Sequence, residues 1–200
     1  MRFIIGLFII LFSFSSAFAL DDDMSFGLYG YGYIPMETDK NLIGYGGGGG
    51  FKLQYDLNKY FAIGASTGFT VASSNYNNTK NITLLSDSRF LIIFQRNTGK
   101  GESGFVPWGS LGFGFLTGSG KYGNTQSLED TMGFNFTLSA GLRYNFSRTY
   151  IGVGAEYSIA RLYGDLYTDY YNDYYYYPRK TNVTVNPSGF NVFGEFGVRF

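Results

Sequence analysis

Thr131-Met132-Gly133-Phe134-Asn135-Phe136-Thr137-Leu138-Ser139-Ala140-Gly141-Leu142-Arg143-Tyr144-Asn145-Phe146 is two sequences interleaved. Met132, Phe134, Phe136, Leu138, Ala140, Leu142, Tyr144 and Phe146 are apolar or aromatic. Thr131, Gly133, Asn135, Thr137, Ser139, Gly141, Arg143 and Asn145 are small, polar or charged. Successive side chains of a strand point to opposite faces, so this segment is a strand with one apolar and one polar face. It exceeds the about 5–6 residues usual in soluble sheets. It also covers the about 9–11 residues that a tilted strand needs to cross a bilayer's hydrocarbon.

The pattern repeats on both sides. Tyr150 to Ala160 sets Ile151, Val153, Ala155, Tyr157 and Ile159 against Gly152, Gly154, Glu156 and Ser158. Phe190 to Phe200 sets Phe190, Val192, Phe196, Val198 and Phe200 against Asn191, Glu195 and Arg199. Tyr60 to Val71 and Phe105 to Leu116 alternate in the same way, and Ile43 to Leu57 does so once its glycine run has passed. Asn81 to Phe94 ends in an unbroken apolar run, Phe90 to Phe94, which a β-bulge would explain. Ser25 to Ile34 alternates Gly with Tyr and leaves its outer face open. These are about eight strands, an even number, as expected of an all-β, antiparallel, up-and-down transmembrane β-barrel. Short turns fall at Asn58-Lys59 and Ser147-Arg148, with a medium one at Asn97 to Gly104. Longer polar loops are expected at Pro35 to Leu42, Ala72 to Lys80, Thr117 to Asp130 and Gly164 to Pro187. With both termini in the periplasm, every short turn falls on that side and every long loop outside. Tyr55, Tyr144, Phe146, Tyr150 and Phe200 are then expected in the periplasmic aromatic girdle.

Residues 1–19 read as a cleaved export signal, leaving 20–200 as the barrel domain. Arg2 precedes an apolar core, Phe3 to Phe14, and Ala17 and Ala19 occupy the small positions of a cleavage site. The core is shorter than the about 20 apolar residues of a spanning helix. Losing Arg2 leaves 14 basic against 15 acidic residues, a net of −1, which offers no footprint for nucleic acid. The chain has no Cys and no His. Disulfides, Cys/His zinc sites, imidazole catalysis and a Ser-His-Asp set are therefore excluded. No metal or other cofactor is expected. Gly46 to Gly50 is followed by the alternating strand Phe51-Lys52-Leu53-Gln54-Tyr55, not by a phosphate-holding helix. Gly118-Ser119-Gly120-Lys121 lacks both the first Gly and the hydroxyl residue of a P-loop.

Lys52, Asp56, Asp87, Arg89, Arg143, Glu156, Glu195 and Arg199 fall on the polar faces, four of each sign. An eight-stranded barrel has room inside only for side chains, and unpaired buried charge is costly. A salt-bridged plug is the expected use of these residues, and a narrow charge-lined conduit is the alternative. A soluble lipocalin-like barrel would need the reverse arrangement, with an apolar interior. The last loop carries Tyr163, Tyr167, Tyr170, Tyr171, Tyr174, Tyr175, Tyr176 and Tyr177 among Asp165, Asp169 and Asp173. It reads either as a surface recognition loop, Tyr being an amphipathic contact residue, or as strands seven and eight prolonged above the membrane. The aspartates lack the Gly and terminal Glu of a calcium loop.

The leader, the dyad strands and the ending Phe196-Gly197-Val198-Arg199-Phe200 together resemble the small bacterial outer-membrane barrels typified by the OmpA membrane domain, OmpX/Ail and OmpW. The resemblance covers essentially all of the chain after the leader. It implies Sec export to the outer membrane of a diderm bacterium. It also implies outer-membrane lipid as a partner, and assembly-machinery recognition of Phe196, Val198 and Phe200. Lipid A acylases and deacylases of similar size use a catalytic His, which is absent. The expected function is non-enzymatic, structural or in surface recognition of an extracellular ligand or host surface, by a monomer. A small porin-like channel for small or apolar solutes is the alternative.

Overall fold

The computed structural model describes residues 23–36, 43–76, 79–97, 102–122, 126–172 and 175–200; the expected leader lies outside them. They form nine strands: β1 (Met24–Pro35), β2 (Gly46–Asp56), β3 (Phe61–Tyr76), β4 (Thr79–Gln95), β5 (Gly104–Tyr122), β6 (Gln126–Asn145), β7 (Thr149–Asn172), β8 (Tyr175–Val185) and β9 (Gly189–Arg199). β1 to β7 pair antiparallel in chain order, and β9 pairs with both β7 and β1. This closes an up-and-down ring of eight strands. β8 and β9 are one descending stave, broken at Asn186-Pro187-Ser188. Pro187 has no N–H to give to a ladder. Ser188 covers part of the gap: its hydroxyl accepts from the Ala160 N–H at 3.0 Å and donates to the Ala160 carbonyl at 3.3 Å.

Three of the expected long loops are strands. β3 and β4 pair up to Tyr76 and Thr79, β5 and β6 to Tyr122 and Gln126, and β7 and β8 to Asn172 and Tyr175. Within Ala72 to Lys80, Thr117 to Asp130 and Gly164 to Pro187 the described residues therefore pair as arms of hairpins rising from the ring, while 77–78, 123–125 and 173–174 lie outside the described residues. Their ladder hydrogen bonds continue after the apolar outer face has ended, so periodicity no longer marks them.

Facing follows the alternation. Leu138 is 55% exposed while Thr137 beside it is 0% exposed. Met132, Phe134, Phe136, Phe51, Phe69, Phe113, Phe115, Ile151, Val153, Val192 and Phe196 are all exposed too. This continuous apolar wall is far larger than a soluble monomer exposes. Near the short turns the wall ends in rings packed edge to face, with Tyr144 4.9 Å from both Phe105 and Phe146.

Three details differ from the sequence expectation. No bulge interrupts Phe90 to Phe94: β4 keeps an unbroken register with β3 and β5 there. Leu91 and Ile93 point inward and pack with Ala62. The bulge is in β6, which has one residue more than its neighbours between Glu129 and Met132. It reverses the facing, so Leu128 is buried inside while Met132 is outside. Tyr150 is not in the outer girdle. It shares the parity of Gly152 rather than Ile151 and is completely buried, across Gly27 and Gly197, where a Cβ would strike its ring or hydroxyl.

The open question in β1 also resolves. Tyr29, Tyr31 and Tyr33 turn inward, and Gly30 and Gly32 face out. The inward positions beside them on β2 and β3 are glycines: a Cβ at Gly50 or Gly68 would meet the Tyr29 hydroxyl. Bare backbone on one wall makes room for the phenol rings of the next.

Candidate functional site

The lumen is filled in three tiers. Nearest the short turns, Asp56 accepts hydrogen bonds from Gln54 Nε2 (2.6 Å), Gln95 Nε2 (2.9 Å) and Asn97 Nδ2 (2.5 Å). Arg143 donates to Gln95 Oε1 at 2.9 Å and to Gln54 Oε1 at 3.4 Å, and its guanidinium lies 4.7 Å from the centre of the Tyr150 ring. Charges of opposite sign are thus joined here through side-chain amides. Arg199 sits half-buried at the short-turn end, with its main-chain N–H on the Arg148 carbonyl at 2.8 Å. Gln54, Gln95 and Asn97 were not singled out from sequence. The signal that finds Gln54 and Gln95 is their inward parity on strands whose charges were.

The middle tier holds direct ion pairs. Lys52 Nζ is 2.6 Å from Glu195 Oε2. Arg89 lies between Asp87, at 2.5 Å, and Glu156, at 2.7 Å. Asn191 Nδ2 donates to Glu156 Oε1 at 3.0 Å, and the Ser110 and Ser139 hydroxyls are 2.7 Å apart. Lys52 Nζ also lies 4.7 Å from the ring centre of Trp108, which packs on Phe193. Between these groups lies a cavity of about 40 Å³, lined among others by Lys52, Ser66, Trp108, Asn191 and Glu195. It has room for a few waters at most.

The upper tier is apolar. Tyr33, Ile43, Ala72, Leu85, Leu116, Leu128, Ala160, Leu162 and Val185 form a buried cluster across the mouth, with Leu166 and Val183 packed on it. Leu162, Leu166, Val183 and Val185 come from the β7–β8 hairpin, so one face of that hairpin stoppers the ring. The opposite face carries Tyr163, Asp165, Tyr167, Lys180, Asn182 and Thr184. Lys180 Nζ is 2.8 Å from Asp165 and 5.9 Å from the Tyr167 ring centre. The hydrogen bond to Asp165 raises the Lys180 ammonium above its ordinary range. Tyr170, Tyr171, Tyr175, Tyr176 and Tyr177 lie along β7 and β8; their side chains, and Tyr174 as a whole, lie outside the described residues.

Chemically, the middle tier pairs its two cations in place with three carboxylates. Both cations are held by carboxylates, and Lys52 and Arg89 are 10% and 6% exposed at their side chains. Such an arrangement fixes the walls of a narrow barrel to each other.

No protein-family model matches the chain, and no curated protein does. Solved structures do. Neisserial surface protein A superposes with a TM-score of 0.57 at 12% identity, covering 89% of this chain and 97% of that one. The N-terminal β-barrel domain of OprF from Pseudomonas aeruginosa superposes with a TM-score of 0.51, also at 12% identity, over 88% and 97%. The fold is that of small bacterial outer-membrane β-barrels.

Proposed function

From a chain with that fold, we propose an integral outer-membrane protein that works without catalysis. The barrel is a closed, rigid mount, and the outward face of the β7–β8 hairpin is its working surface. That face, with Tyr167, Asp165 and Lys180, meets an extracellular ligand or host surface. The tyrosines supply contact area at low entropic cost, and the aspartate–lysine pair supplies direction. The observation that carries this reading is the division of the hairpin's two faces. The inner one is spent on the apolar cluster at the mouth, and the outer one is left polar and aromatic. Phe196, on the outward face of β9, and Phe200, exposed just past its end, suit recognition by the assembly machinery together with Val198.

A closed lumen is favoured over a conduit by the small cavity and the apolar stopper. Single-channel recording of the refolded barrel in a planar bilayer tests this. Protein shown to be folded by its heat-modifiable gel mobility is expected to be electrically silent. Stable, reproducible steps would reverse the assignment and leave a narrow channel for small or apolar solutes.

A further inference from the structure

Arg161 is the side chain that the plug and the hairpin leave unexplained. It is exposed on the outward face of β7, between exposed Ile159 and Tyr163, and paired across the ladder with exposed Phe134. Among the described residues it forms no ion pair. Two carboxylates higher on β6 and β7 have partners of their own: Asp165 is held by Lys180, and Glu129 accepts from the Ser127 hydroxyl at 2.8 Å. A charge on a barrel's lipid face is costly at midplane and tolerated only near the interfaces.

Two independent observations fix the level of Arg161. Ten residues separate it from Ile151, the first outward apolar side chain of β7. At about 3.3 Å per residue and roughly 40° of tilt they climb about 25 Å, which is the height of a barrel's apolar band, also about 25 Å. The ring itself ends at the same level. β9 last pairs with β7 at Ser158–Gly189 and with β1 at Pro35–Gly189, and above that β8 pairs only with β7. An open strand edge cannot lie in hydrocarbon, so the hydrocarbon stops where Arg161 begins.

We infer that Arg161 is a binding site for the phosphate of a lipid headgroup in the leaflet on the hairpin side. A guanidinium takes a phosphate through two parallel hydrogen bonds. Tyr163 and Phe134 flank it with aromatic surface, as rings do at headgroup level. The chemistry fits a lipid whose headgroup carries an anionic phosphomonoester, with acyl chains along the outward wall of β6 and β7. This inference rests on the outer-membrane reading above.

The test places the folded barrel in phosphatidylcholine vesicles doped with either phosphorylated lipid A or the same lipid dephosphorylated. Native mass spectrometry then counts the lipid A retained. The wild type is expected to retain the phosphorylated form in preference. Arg161→Gln should retain about tenfold less of it, and Arg161→Lys should fall between. No preference by the wild type, or full retention by Arg161→Gln with heat-modifiable mobility intact, would overturn the inference. Failure of the wild type to insert into either vesicle would overturn the outer-membrane reading itself, and the inference with it.

Discussion

Glu195 shows what a single residue does in a lumen this narrow. Its carboxylate is 2% exposed and holds Lys52. Removing one partner of a buried pair leaves the other charge uncompensated and costs about 3–5 kcal/mol, whereas replacing both with apolar groups is often neutral. Glu195→Ala is therefore expected to destabilise the barrel by roughly that amount. The double change Lys52→Met with Glu195→Leu should restore most of the loss, read from urea unfolding in lipid vesicles. A double variant as damaged as the single one would show that the pair does more than fill space. At this scale the sequence was half legible. Inward parity picked out Lys52, Arg89, Glu156 and Glu195, because period-2 alternation assigns faces. It did not reveal which charges touch. Asp56 and Arg143 meet through Gln54 and Gln95, and partners on different strands leave no trace in local spacing.

Strand β2 makes the argument for elements. Its glycine run faces two ways. Gly48 points inward, where a Cβ would strike the Phe69 carbonyl, while Gly32 of β1, paired with Gly47, points outward with nothing within 4 Å of its Cβ position. Gly48→Ala should cost about 1–3 kcal/mol through overpacking. Gly32→Ala should be neutral or stabilise by about 0.4–1 kcal/mol, through lost freedom of the unfolded chain. Equal effects of the two changes in denaturant titration would contradict the facing of β1 and β2. The run read correctly as strand rather than phosphate loop, because an alternating segment follows it. Its facing did not read, because glycine has no polarity to alternate. The β6 bulge escaped for a related reason. One extra residue inverts the pattern, and an inverted pattern between Glu129 and Met132 looks like the end of a strand.

For the whole molecule, the ring closes through β1, β9 and β7 and does not need β8. Deleting residues 167–177 should leave a folded, heat-modifiable barrel, because the removed part lies beyond the closing pairs. Loss of folding would mean that the hairpin nucleates or seals the ring. The topology was legible because short turns and an apolar outer face leave strong signals. The height of the hairpins was not, because above the apolar wall the pattern inverts: the inner face turns apolar and the outer one polar.

The central claim is that the apolar wall meets lipid while the interior is sealed from it. Trp108 is the chain's one tryptophan and lies inside, 8% exposed. Fluorescence of the folded protein in brominated phosphatidylcholine, with a Leu138→Trp variant alongside, reads both faces at once. Trp108 emission is expected to be spared, and the component added at position 138 to be strongly quenched. Quenching of Trp108, with the added component at 138 spared, would mean that the faces of the barrel have been assigned the wrong way round.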